Sequence, residues 1–167
     1  MKKLLLFILI SGLTLSAVSQ NVIGRWRTHM AYNSVNQIEQ SDTKIYAVSE
    51  GSLFSVNKAD GDIEFYSKMS GLSDANISRI DYDQTNNQLL IIYSNGNIDL
   101  MHSAGVNNIP DLYRKQMSAS KGINDVSFYN NLAYLSCDFG ILLLNLSKKE
   151  IVDTYIIGKG GTETKVI

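Results

Sequence analysis

The 167-residue sequence holds one cysteine (Cys137), one proline (Pro110), one tryptophan (Trp26) and two histidines (His29 and His102). A single thiol cannot close an internal disulfide, so the chain must be held together by burial. Cys137 lies in an apolar stretch, and its neighbours Ser136 and Asp138 are not basic, which reads as a small core residue and not as an activated nucleophile. The two histidines are far apart and have no second His or Cys at ligand spacing, which leaves no zinc motif. No Gly-x-Ser-x-Gly elbow occurs, and no pair of acids stands out as a glycosidase couple. Fifteen Lys and Arg residues against sixteen Asp and Glu are scattered through the chain and form no polybasic footprint for nucleic acid or an anionic bilayer. These absences lead to the expectation of a non-enzymatic chain without cofactor or metal.

Long apolar runs are equally scarce. The run Leu4 to Leu15 follows Met1-Lys2-Lys3 and precedes Ala17 and Ser19, the charge, length and small-residue pattern of a signal peptide over residues 1–19. It is shorter than the roughly 20 apolar residues of a membrane span, and no cysteine follows it for acylation. The mature chain is expected to start at Gln20 and to be exported, to the outer-membrane surface or the periplasm.

What the sequence does contain is a motif recurring about every 44 residues, the period of a four-stranded propeller blade. One copy runs through Val35–Ile38, Ile45–Val48, Leu53-Phe54 and Ile63–Tyr66; the next through Ile77–Ile80, Leu90–Tyr93, Ile98 and Ile109; the third through Ile123–Val126, Leu132–Leu135, Ile141–Leu144 and Ile151–Tyr155. Each has short runs rich in Ile, Val, Leu and Tyr, separated by Asn, Gly, Asp and Ser, the pattern of antiparallel strands joined by tight turns. Ile80 and Tyr82, like Val126 and Phe128, are two apart and fall on one strand face. The nearly continuous apolar runs Leu89–Tyr93 and Leu132–Leu135 suit strands covered on both faces by neighbouring blades. The expected fold is all-β, a partial propeller with blades at about 34–68, 76–115 and 122–157.

Gly51, Gly96 and Gly140 recur at one place in the three copies, as a geometric demand of the turn would produce. Asn95-Gly96 has the composition of a two-residue type I′ hairpin, with positive φ at both positions. Pro110 is placed on the outermost strand of the second copy, where a missing N–H is tolerated, with one helical turn over Pro110–Arg114 as the alternative. Ile23–Tyr32 aligns with a fourth run that has no partners before it, and Thr164–Ile167 reads as the beginning of a further copy after Gly158–Gly161. Three blades and two loose strands fall short of a ring of four to eight, so the chain is expected to be the N-terminal part of a longer protein.

Two further constellations have plain structural readings. Asp81–Asn87 alternates oxygen ligands as a calcium loop does, but it lacks the glycine and the final Glu of that loop and equally suits a hairpin. Arg25, Trp26 and Arg27, with Tyr32 and Tyr66, compose a candidate aromatic and cationic interaction patch, against the blander packing of Trp26 in a closing strand. The nine tyrosines are read mostly as strand residues.

Lys68–Ile77, with its Gly71-Leu72-Ser73-Asp74 core, resembles the propeller repeats of periplasmic sensors of hybrid two-component systems. The wider set Gly24–His29, Ile92–Leu100, Lys121–Asp125, Asp138–Ile141 and Asp153–Gly158 resembles, in order, the N-terminal propeller of the PorZ family of type IX secretion surface proteins. That resemblance implies a scaffold or interaction protein with two propellers and a small C-terminal β domain. It also implies a surface sortase and an outer-membrane barrel protein as partners, and lipopolysaccharide bound through the C-terminal domain. It carries no catalytic or ligand residue onto this sequence. The alternative is a ligand-sensing propeller of a hybrid two-component regulator.

Overall fold

Short β-branched and aromatic runs, punctuated by residues that accept left-handed backbone, give twelve strands and almost no helix among residues 34–156, which a computed structural model describes. The expected leader, the expected strand Ile23–Tyr32 with Arg25, Trp26 and Arg27, and the further copy expected at Thr164–Ile167 lie outside the described residues. The strands form three four-stranded antiparallel sheets, each in sequence order. The first contains β1 (Val35–Gln40), β2 (Lys44–Ser49), β3 (Ser52–Asn57) and β4 (Ile63–Tyr66). The second contains β5 (Ile77–Asp83), β6 (Gln88–Tyr93), β7 (Ile98–His102) and β8 (Gly105–Ile109). The third contains β9 (Ile123–Tyr129), β10 (Leu132–Cys137), β11 (Gly140–Asn145) and β12 (Glu150–Ile156). The expected all-β partial propeller is what the chain forms.

The sheets stack face to face, with their first strands adjacent, β1 beside β5 and β5 beside β9. Two apolar layers result. Between the first and second sheets pack Val48, Leu53, Tyr66, Ile80, Leu89 and Ile91; between the second and third pack Leu90, Ile92, Leu100, Leu135, Leu142 and Leu144. The two-residue period of β6 therefore sends Leu89, Ile91 and Tyr93 to one layer and Leu90 and Ile92 to the other, and every residue of that strand is buried. Its equivalent β10 alternates buried and half-buried positions.

Local geometry departs from the expected pattern in three places. Asn95 does not take a positive φ; Gly96 alone does, at 82°, and its N–H bonds the Tyr93 carbonyl at 2.9 Å while the Tyr93 N–H bonds the Asn97 carbonyl at 3.0 Å. The loop is thus a three-residue type I turn closed by a left-handed glycine, not a two-residue type I′ turn. That I′ geometry occurs instead at Glu50-Gly51 (φ 48° and 76°) and at Asn130-Asn131 (φ 45° and 64°). Pro110 is not in the outer strand: β8 ends at Ile109, and Pro110 opens the one-turn helix α1 (Asp111–Arg114), whose Arg114 N–H bonds the Pro110 carbonyl at 2.9 Å. A fixed φ and no N–H to satisfy suit proline to that place. Finally, each first strand carries one β-bulge at the same position, between Val35 and Gln37, Ile77 and Arg79, and Ile123 and Asp125. The bulge bends the start of each inner strand in the same way.

Candidate functional site

The inner strands present polar side chains that join one blade to the next. From β1, Gln37 Nε2 donates to the Ile80 carbonyl at 2.6 Å and Gln37 Oε1 accepts from the Ile80 N–H at 3.0 Å. At the equivalent position of β5, Arg79 reaches β9, with Nη1 donating to the Asn124 carbonyl at 2.9 Å and Nη2 to Asp125 Oδ1 at 2.7 Å. The same guanidinium grips Asp81 through Nε (2.7 Å) and Nη2 (3.1 Å). Burial pushes the Asp81 carboxyl up to about 6, against the downward pull of the Arg79 hydrogen bonds and charge.

The connection from the first sheet to the second is equally tied down. Ser67 and Ser70 cap the turn Lys68–Ser70 reciprocally, and Gly71 ends it with φ 106°. Leu72 enters the apolar layer, and the Ser73 N–H donates to Asp99 Oδ2 at 2.8 Å. Asp99 is fully buried and also accepts from the Tyr93 hydroxyl at 2.6 Å and from Asn108 Nδ2 at 2.9 Å. Burial, then the bond to Asp99, raise the Tyr93 phenol well above its ordinary value. The Gly-Leu-Ser-Asp string is therefore a blade-to-blade connection anchored on the buried Asp99.

On the face where the β1–β2 and β5–β6 loops emerge, the first two sheets part around a cleft of about 440 Å³. Three tyrosine rings form its wall. Tyr46 stands 6.4 Å from Tyr66 and 6.0 Å from Tyr82, stacked on the latter at 19°. Lys44 Nζ donates to Glu64 Oε2 at 2.6 Å and to the Tyr66 hydroxyl at 3.2 Å, and that hydroxyl donates to Glu64 at 2.9 Å. The bond to Glu64 holds the Lys44 ammonium above its ordinary range, and the bond from Lys44 holds Glu64 below its own. His102 lies at the opposite rim, its Nδ1 accepting from the Ala104 N–H at 3.1 Å and its Nε2 lying 3.0 Å from Asn107 Oδ1. With Nδ1 accepting, the ring proton belongs on Nε2. The cleft thus sets three tyrosine rings beside the Lys44–Glu64 pair and Asp42.

The residues singled out from the sequence are distributed as follows. Gly51 fills the second position of its I′ turn, Gly96 the third position of its loop, and Gly140 (φ 145°) is the first residue of β11, so the three do not share one turn geometry. The Gly51 carbonyl accepts from the Ile77 N–H at 3.0 Å, which joins the first sheet to the second. Asp81 is engaged with Arg79, while Asp83 accepts from the Thr85 and Asn86 N–H groups at 3.0 and 3.3 Å, as the hairpin reading has it. No group of three or more metal-ligating side chains lies together among the described residues. Cys137 is fully buried, and its thiol is pushed up to about 12 by burial and then by the charge of Asp138. Of the patch expected around Trp26, only Tyr66 is described, and it belongs to the cleft. Sequence reasoning missed the cleft, because Tyr46 and Tyr82 lie on strands of different sheets and meet only when the sheets stack.

The model of the PorZ N-terminal β-propeller domain of type IX secretion matches residues 45–167. Among solved structures, PorZ of Porphyromonas gingivalis, an essential bacterial surface component of the type IX secretion system, is 33% identical with a TM-score of 0.72, over 75% of this chain and 17% of that one. AztD of Citrobacter koseri is 14% identical with a TM-score of 0.56, covering 75% of this chain and 34% of its own. The computationally designed Ika8 protein is 9% identical with a TM-score of 0.54, over 79% of this chain and 38% of that one. These last two show the fold alone. The comparison with curated proteins finds no match. The chain thus spans about a sixth of the PorZ chain it matches, and over that stretch it belongs to the family of PorZ N-terminal β-propeller domains.

Proposed function

We propose that this chain is a non-catalytic, exported propeller module that serves as a scaffold or interaction part of the type IX secretion attachment complex at the cell surface. The observation that carries the proposal is the family match over residues 45–167, together with 33% identity to a PorZ that is a surface component of that system. The described side chains fit it: Gln37, Arg79 and Asp99 spend their polar groups on joining blades and connections. The partners are those implied by the resemblance, a surface sortase and an outer-membrane barrel protein. Lipopolysaccharide is met through a C-terminal domain outside these 167 residues. In the same reading residues 1–19 are a cleaved leader, the blades near 34–68, 76–115 and 122–157 belong to a larger ring, and Arg25, Trp26 and Arg27 form an interaction patch. The family match favours this reading over a two-component sensor. The test is deletion of the gene followed by return of the wild-type copy. Surface attachment of type IX cargo should be lost and then restored; cargo display unchanged by the deletion would overturn the proposal.

A further inference from the structure

The cleft between the first two sheets opens at the margin of the apolar layer against which Tyr46 and Tyr82 pack. Its wall is the row Tyr66, Tyr46, Tyr82, drawn from both sheets. Its charged lining comprises Asp42 and Glu64 against Lys44, one negative charge in excess. Lys44 is neutralised internally at 2.6 Å by Glu64 and is held through the Tyr66 hydroxyl, so its ammonium is already committed. His102 is engaged through both ring nitrogens. Aromatic rings with a surplus carboxylate attract organic cations, because the negative face of the ring quadrupole adds to the charge while the rings shed little water on contact. A cavity of about 440 Å³ is of small-ligand size.

We infer that this cleft binds an organic cation, an ammonium or guanidinium group carried on a short aliphatic chain, through Tyr46, Tyr82 and Asp42, Glu64 being held by Lys44. The inference stands apart from the type IX reading and does not need it. Two sources offer this chemistry, a free polyamine and a lysine or arginine side chain.

The experiment is calorimetric titration of the purified full-length protein, at fixed ionic strength, with spermidine and with the capped peptide acetyl-Gly-Lys-Gly-amide. The same peptide with norleucine or glutamate in place of lysine serves as the neutral and the acidic control. Both cations should bind, with the controls at least about tenfold weaker, and tighter binding of spermidine or of the peptide assigns the source. Tyr82→Leu should weaken cation binding about tenfold. Asp42→Asn, an exposed and conservative change, should weaken it several-fold without touching the fold. Absence of binding, equal binding of the norleucine peptide, preference for the glutamate peptide, or indifference to both substitutions would each overturn the inference.

Discussion

The side-chain amide of Gln37 takes the place of a strand for Ile80: it accepts from the Ile80 N–H at 3.0 Å and donates to the Ile80 carbonyl at 2.6 Å, from a residue 43 positions earlier. Ile80 is fully buried and pairs with Ile91 on its other side, so the open edge of β5 has no other partner there. Gln37→Ala leaves both backbone groups unpaired, a cost of about 1–3 kcal/mol. Hydrogen exchange of the Ile80 amide should quicken about tenfold or more in this variant. Gln37→Glu should quicken it less, because a carboxylate still accepts from the Ile80 N–H although it cannot donate to the Ile80 carbonyl. Unchanged exchange in both would show that the contact contributes nothing.

Asp81 sets a pH dependence with a definite sign. Its folded carboxyl binds a proton at about 6, whereas an unfolded aspartate does so at about 3.9. Between these values the native state holds more protons, so this group's contribution is fully present below the lower value and is lost as pH rises through the upper one. The amount is on the order of 2–3 kcal/mol. Urea midpoints from pH 4 to pH 8 should show this fall, and Asp81→Asn should flatten it. A wild-type curve that rises across the same window would count against the assignment.

Gly140 has no room for a side chain. A Cβ there would lie 1.9 Å from the Tyr155 carbonyl oxygen, and φ is 145°. Gly140→Ala should therefore detach β12 or leave the protein insoluble, at a cost of roughly 3 kcal/mol or more. Gly61 is the control: φ is 78°, nothing lies within 4 Å, and asparagine tolerates that backbone. Gly61→Asn should shift the thermal midpoint little, and equal damage from the two substitutions would contradict the packing described.

Cys137 should be inert. Buried, and with its thiol pushed up to about 12, it offers almost no thiolate at pH 8. Iodoacetamide should leave the native protein unlabelled and modify it stoichiometrically in urea. Native labelling at the rate of a free thiol would place Cys137 elsewhere than in the core.

The sheets were legible because strand, turn and period are local signals. The period even returns in the structure as chain separation, since the bonds between blades span 43 residues (Gln37 to Ile80), 44 (Gln84 to Gln40), 45 (Arg79 to Asn124) and 46 (Arg79 to Asp125). Turn type was less legible. Asn95-Gly96 has I′ composition, yet the registers of β6 and β7 leave three residues to close the loop, and Asn95 keeps a negative φ. Pro110 suits an edge strand and a first helical turn alike, and only the end of β8 at Ile109 decides between them. The cleft was hidden because Tyr46, Tyr66 and Tyr82 look like strand residues one by one. Their shared wall exists only once two sheets face each other.

The most direct test of the central claim is recovery of the tagged full-length protein from outer-membrane extracts, with its companions identified by mass spectrometry. Co-purification with the type IX surface sortase and its barrel partner is the predicted result. Recovery with a cytoplasmic kinase module, and without any type IX component, would contradict the account.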